Sequence, residues 1–300
     1  MRTGARRVSL GVRVARLLAQ AVTLGWLAYV LASWFLVWNP ADGGAYYDAA
    51  VRLREGEPLY HAIHPEAHEA YRYAPWFAYA WVPLSFLPRD VALHGWSLAM
   101  LACSGIAVWP IARLGTPAAI SLAALLAAFL AETAMFGNAH PAVVALLSLA
   151  AGRVGAFPVA IGIAASIKLV PILFIGVWLG RREWKSAFVA LGVTAVLWLP
   201  ALLFDLTNYV TDPGTGLLSL YAFSPLLWLI IALASGVAAA VLAVRRSRWA
   251  WIALAVAMFV GPPRIALSYL GFLAPAVVAT LAEPSPGRFS QASVLRRSSE

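Results

Sequence analysis

Long apolar stretches separated by short polar ones set the pattern of this chain. Leu17–Trp38 and Ala187–Phe204 carry almost no charge, and each approaches the ~20 residues that a helix needs to cross a bilayer. Thr116–Phe136 and Tyr221–Val244 read the same way. Shorter apolar pieces follow at Ala142–Ala151, Phe157–Ile167, Leu169–Leu179, Trp249–Val260 and Ile265–Leu281. Buried backbone amides in lipid must be paired within the segment, and no alternating short strands are present, so the spans are helices. The pattern predicts an all-α, polytopic helical membrane protein with about 8–11 crossings. Its parts are a basic N-terminus (1–16), one transmembrane domain (17–282) and a basic, Ser-rich tail (283–300), the tail reading as disordered.

One polar stretch interrupts this pattern at length, from Asn39 to Pro75. It holds six of the thirteen carboxylates and three of the five histidines. Within it, Ala45–Glu55 predicts an amphipathic helix. Tyr46, Tyr47, Ala50 and Leu53 form its apolar face, and Asp48, Arg52 and Glu55 fall on the other. Gly56 and Pro58 stop it, and such a helix beside a membrane lies in the interface.

Composition supports the membrane reading. The chain is 62% hydrophobic and 12% charged, far from the soluble norm of about a quarter charged. The net charge of +9 comes from short basic runs between apolar segments: the N-terminus, Arg181-Arg182, Arg245-Arg246 and the tail. That is the positive-inside pattern rather than a nucleic-acid footprint. It places both termini in the cytoplasm and the 39–75 loop outside a plasma membrane. The first apolar run lacks a small-residue cleavage site before Asn39 and reads as a retained span. A single cysteine, Cys103, excludes an internal disulfide.

Ionisable residues at the membrane edge are costly and point to function. The predicted outer face collects Asp42, Arg72, His140, Lys168 and Arg264, and cations there suit a phosphate headgroup. Asp42 precedes the predicted helix, followed by Gly43-Gly44, which allow close backbone approach to a ligand. It fits either an N-cap or a catalytic base. Asp48 lies four residues before Arg52, the spacing of an exposed helical ion pair. His61, His64 and His68 share a helical face, but Pro65 lies among them and no further ligand follows, so no metal site is assigned. Glu132 falls about one turn before the Gly137–Pro141 turn. Lys168 separates two short apolar pieces.

Several motifs resemble glycosyltransferase family 87. Asp42, Tyr46, Tyr47, Ala49 and Ala50 are followed by Gly56 and Pro58-Leu59-Tyr60, then by Tyr71-Arg72-Tyr73 and Pro75. Gly137-Asn138, the run from Gly162 through Ser166 and Lys168 to Pro171, and Arg181-Arg182 come next. The resemblance implies a GT-C fold and transfer of a hexose, mannose in this family, from a polyprenyl phosphate sugar. The acceptor would be a lipid-linked or envelope glycan. It further implies Asp42 as base, with Arg72, Tyr46, Tyr73, Asn138, His140, Lys168 and Arg264 as candidate substrate or phosphate contacts and no cofactor. Two other classes fit the same composition. A lipid or solute transporter would centre on Lys168 and Glu132, and a non-catalytic membrane partner would need none of these groups.

Overall fold

A computed structural model describes residues 10–36, 38, 40–60, 70–209, 219–263 and 266–283. His61, His64, His68 and Arg264 lie outside the described residues, as does the tail from residue 284 onward. Every regular element among the described residues is helical.

Helix α1 (Leu10–Leu36) begins ahead of the predicted apolar run and leads to α2 (Ala41–Glu55), α3 (Pro75–Trp81) and a 3-10 turn over Val82–Phe86. The central hairpin is α4 (Arg89–Ala112) and α5 (Pro117–Met135), followed by the short α6 (His140–Ala150) and α7 (Ala156–Ile167). Thr116 caps α5, its hydroxyl accepting from the Ala119 N–H at 3.2 Å. Beyond a break at Lys168, a 3-10 turn (Val170–Phe174) continues into α8 (Ile175–Arg181), then α9 (Trp184–Trp198). The chain finishes with α10 (Leu220–Phe223), α11 (Pro225–Val244), α12 (Ala250–Val260), a 3-10 turn (Leu267–Phe272) and α13 (Leu273–Ala282).

Among the described residues, four stretches are long and apolar enough to cross a bilayer: Arg89–Ala112, Pro117–Met135, Trp184–Leu203 and Pro225–Val244. With the shorter apolar helices they make a multi-pass membrane protein. The buried share of these stretches separates two roles. It is 39% and 44% for α4 and α5 but 17% and 11% for the stretches of α9 and α11, so the first pair is inner and the second turns most of its surface to lipid. The core runs through α4–α8, α12 and α13, around Leu130, Leu147, Ile161, Phe174, Met258 and Phe272. Small residues allow its close approaches. A Cβ on Gly162 would lie 2.7 Å from the Ala190 carbonyl of α9, and one on Gly271 would lie 2.7 Å from Leu130 of α5.

A second cluster caps one end of this bundle. Tyr46 is its hub, its ring 4.8 Å from Tyr73, 5.1 Å from Phe77 and 5.5 Å from Trp81. Leu59, Tyr60, Tyr71 and Leu93 complete it. Aromatic edges packed on aromatic faces favour this arrangement beyond the area they bury.

The two ends of the bundle differ in chemistry. At one end the segments after α1, α5, α7, α9 and α12 are joined by hydrogen bonds. At the other, Gly152 lies against Ala282, and Arg181 pairs with Glu283 at 2.5 Å while donating to the Ser247 carbonyl at 2.9 Å. The basic runs Arg181-Arg182 and Arg245-Arg246 therefore meet at a single end, opposite the polar turns.

Candidate functional site

The polar end is built on the first turn of α2. The helix starts at Ala41, four residues ahead of the predicted Ala45, with Pro40 as its N-cap. Asp42 therefore lies inside the first turn and is not the cap. The reason is tertiary. The first N–H groups of any helix and its last carbonyls lack partners within the helix. Here the N–H groups of Asp42 and Gly43 donate to the Phe136 carbonyl at 3.0 and 3.3 Å, just beyond the end of α5. One helix start satisfies another helix's end, and α2 gains a turn. The Asp42 carboxylate is half-buried at the positive end of the α2 dipole.

Close backbone approach makes this docking possible. Gly137 adopts φ +66°, and a Cβ there would lie 3.0 Å from the Gly43 backbone. Gly43 and Gly44, expected to face a ligand, instead face Gly137 and Arg89. The Trp96 indole donates to the Gly137 carbonyl at 2.7 Å and fixes the turn from α4. Replacing Gly137 with alanine should cost about 1–2 kcal/mol for the left-handed backbone alone, with the Gly43 clash added. Thermal unfolding of detergent-solubilised protein reads the loss; an unchanged midpoint would mean that the turn is not docked this way.

Asp48 belongs elsewhere. It makes a two-pronged ion pair with Arg89 at the start of α4, and Arg52 donates to the Leu59 carbonyl at 3.2 Å. The expected Asp48–Arg52 pair is thus replaced by one between helices, because α4 brings Arg89 over the Tyr47 ring and within reach of Asp48. Its place is structural. Gly56 ends α2 as expected, in the left-handed conformation at φ +74°.

Tyr46 is fully buried, at 0% exposure. Its hydroxyl donates to the Tyr73 hydroxyl at 2.8 Å and accepts the Ala139 N–H at 3.3 Å. Burial, then the neighbouring Tyr73 and Asp42, push its phenol well above the usual value, so it stays a neutral donor. Tyr46 therefore ties α2 to two other segments rather than reaching into open space. Tyr46→Phe leaves the buried Ala139 N–H without its acceptor, a loss of about 1–3 kcal/mol. Denaturant or thermal midpoints test this, and a neutral substitution would remove Tyr46 from the joint.

The break after α7 brings a further segment to this end. Lys168 leaves the helix in extended conformation, φ −132°. Ser166, just before it, accepts from the Trp76 indole at 3.0 Å through its hydroxyl and from the Ala74 N–H at 3.4 Å through its carbonyl. The Lys168 ammonium lies 5.8 Å from the centre of the Tyr269 ring and acts electrostatically on His140. Arg72 is half-buried beside Tyr209, whose hydroxyl donates to the Arg72 carbonyl at 3.0 Å.

Asn138 and His140 close the turn. The Asn138 side-chain oxygen accepts the His140 backbone N–H at 2.9 Å, the local turn that asparagine favours. His140 opens α6, fully buried, and its Nε2 donates to the Ser268 carbonyl at 2.9 Å. His140, like Tyr46, is fully buried, with a side-chain polar atom bonded to a neighbouring segment.

Asp42, Arg72, Tyr46, Tyr73, Asn138, His140 and Lys168 all gather at this end, on segments far apart in the chain. Glu132 is half-buried on α5 and outside these hydrogen bonds. Trp76, Trp96 and Tyr209 hold the walls, and sequence reasoning does not single them out. Their one signal is an aromatic body with a polar tip within an apolar run. Among the described residues no group of three or more His, Cys, Asp or Glu is placed to hold a metal ion.

Comparison with known proteins adds one positive finding. Residues 71–212 match the sequence model of glycosyltransferase family 87. No curated protein and no solved structure matches the chain. The matched stretch contains Arg72, Tyr73, Asn138, His140 and Lys168, and begins after Asp42 and Tyr46. Several segments of the polar end thus fall within a stretch that is similar to glycosyltransferase family 87 over residues 71–212.

Proposed function

We propose that this protein is a membrane hexosyltransferase that moves a sugar, mannose by its family resemblance, from a polyprenyl phosphate to a lipid-linked or envelope glycan acceptor. The observation that carries the reading is the placement of Asp42. A half-buried carboxylate stands in the first turn of α2, fixed through its own backbone N–H to the Phe136–His140 turn of the polar end.

The chemistry needs few groups. Asp42 takes the proton of the acceptor hydroxyl as that oxygen attacks the anomeric carbon. The bond from that carbon to the phosphate oxygen breaks, and the phosphate leaves with the electron pair. Attack opposite the leaving group inverts the anomeric centre. Cations stabilise charge developing on the phosphate, a role for Lys168 and Arg72. The leaving phosphate needs no proton, so a second carboxylate of the glycosidase kind is unnecessary. Gathering of the basic runs at the opposite end supports an outward-facing site under the positive-inside rule. Lys168 lies at a helix terminus beside the polar turns, which favours the transferase over a transporter built on a midplane charge.

The test is transfer of labelled mannose from polyprenyl phosphate mannose in membranes containing the full chain, with other polyprenyl phosphate hexoses in parallel. Transfer from any of them supports the reading, and the productive donor identifies the sugar. Failure with all of them, at normal expression, overturns it.

A further inference from the structure

We infer that His140 is a positioning residue that sets the spacing between the carboxylate wall and the cation wall of this site. The inference rests on the proposed transferase reading and deepens it. One short turn, Phe136 to His140, touches both walls. Its Phe136 carbonyl holds the N–H groups of Asp42 and Gly43, and its Ala139 N–H meets the Tyr46 hydroxyl. At its other end the His140 imidazole reaches Ser268, 128 residues away, at 2.9 Å. Tyr269, next in the chain, has Lys168 over its ring. The contacts thus run from Asp42 through the turn and His140 to Ser268-Tyr269 and Lys168.

The ring has little freedom to do otherwise. Phe272 packs edge-on against it at 4.8 Å, Tyr269 lies at 5.5 Å, and the side chain is 0% exposed. The Ser268 carbonyl can only accept, so Nε2 carries the proton. Nδ1 is buried without a hydrogen-bond partner among the described residues. A buried polar atom left unpaired is uncommon, and an apolar residue would fill this space without leaving one. The hydrogen bond from Nε2 is what an apolar residue cannot supply, and it joins the 3-10 turn ahead of α13 to the turn that carries α2. Full burial also separates His140 from a phosphate ligand, which would need an open face.

The experiment compares His140→Gln, His140→Asn and His140→Leu in the full chain reconstituted in nanodiscs. Glutamine can place an N–H where Nε2 stands; asparagine is too short and leucine has no donor. Two readouts are taken. Sugar transfer should show kcat within a few-fold of wild type for His140→Gln, but a fall of ten-fold or more for the other two, with KM for the donor little changed. Amide hydrogen exchange should show faster exchange at both 40–46 and 266–272 for His140→Leu, restored by His140→Gln. Equal loss of kcat in His140→Gln and His140→Leu, with exchange restored in the former, would make the imidazole itself chemical and overturn the inference. Unchanged exchange at 40–46 in His140→Leu would also overturn it, because the two walls would then be uncoupled. The exchange readout needs no substrate. A wild-type chain inert with every donor would sink the transferase reading, while this coupling would still be decided by exchange.

Discussion

Asp42→Asn should leave the protein folded and lower sugar transfer about 10²–10⁴-fold, the usual contribution of a positioned general base. The substitution keeps the side chain's size and one acceptor oxygen. It also keeps the contacts that dock α2, because those run from the backbone N–H groups of Asp42 and Gly43 to the Phe136 carbonyl. What it removes is the ability to take a proton. The matched control is Asp48→Asn, six residues along the same helix. Asp48 and Arg89 both remain partly exposed, at 43% and 48% of their side chains, and exposed pairs contribute about 0–1 kcal/mol. That variant should transfer sugar at close to the wild-type rate. Initial rates at saturating donor separate the two cases. A fully active Asp42→Asn protein, expressed normally, would remove Asp42 as the base.

Arg181→Leu should be the most destabilising of the substitutions considered, and should act far from the polar end. Arg181 is 7% exposed. Its guanidinium meets both oxygens of Glu283, at 2.5 and 3.1 Å, and the Ser247 carbonyl at 2.9 Å. The Trp251 indole also donates to Glu283 at 2.6 Å, and the Arg246 side chain donates to the Arg181 carbonyl at 2.9 Å. One ion pair thus ties α8, α12, the α11–α12 turn and the end of α13. Removing one partner of a fully buried pair loses about 3–5 kcal/mol; here the carboxylate left behind is 25% exposed and keeps the Trp251 indole, so the loss should fall at or below the lower end of that range. Replacing both with apolar residues removes that orphaned charge, so Arg181→Leu with Glu283→Leu should recover much of the stability. A double-mutant cycle on thermal midpoints in detergent reads the coupling. Additive losses would show that the pair contributes nothing as a pair. Transfer per folded molecule should stay near wild type, because the pair lies at the opposite end from Asp42.

These two residues also mark how much of the molecule can be read from the chain. Asp42 stands out in the sequence as a carboxylate in the one long polar stretch, and Arg181 as part of a basic run. Neither partner is visible there. Hydropathy reports whether a local window suits lipid, and so the sequence by itself determines the all-helical class, the spans read at Thr116–Phe136 and Tyr221–Val244 (Pro117–Met135 and Pro225–Val244 in the structure), and the stop at Gly56. It also yields most residues of the polar end, because ionisable groups in an apolar chain are costly to keep without a purpose.

What the sequence leaves open are the choices that depend on distant neighbours. The start of α2 at Ala41 required the Phe136 carbonyl, and the Gly43–Gly137 approach was needed to bring it there. Asp48 turned from Arg52, one turn away, to Arg89, because packing set α4 beside α2. The resemblance offers Tyr46 and His140 as substrate contacts, yet the fold buried both, giving the Tyr46 hydroxyl to Tyr73 and Ala139 and the His140 Nε2 to Ser268. Local periodicity carries information over a turn or two of helix. The bond from His140 to Ser268 spans 128 residues, and only the packed bundle could decide it.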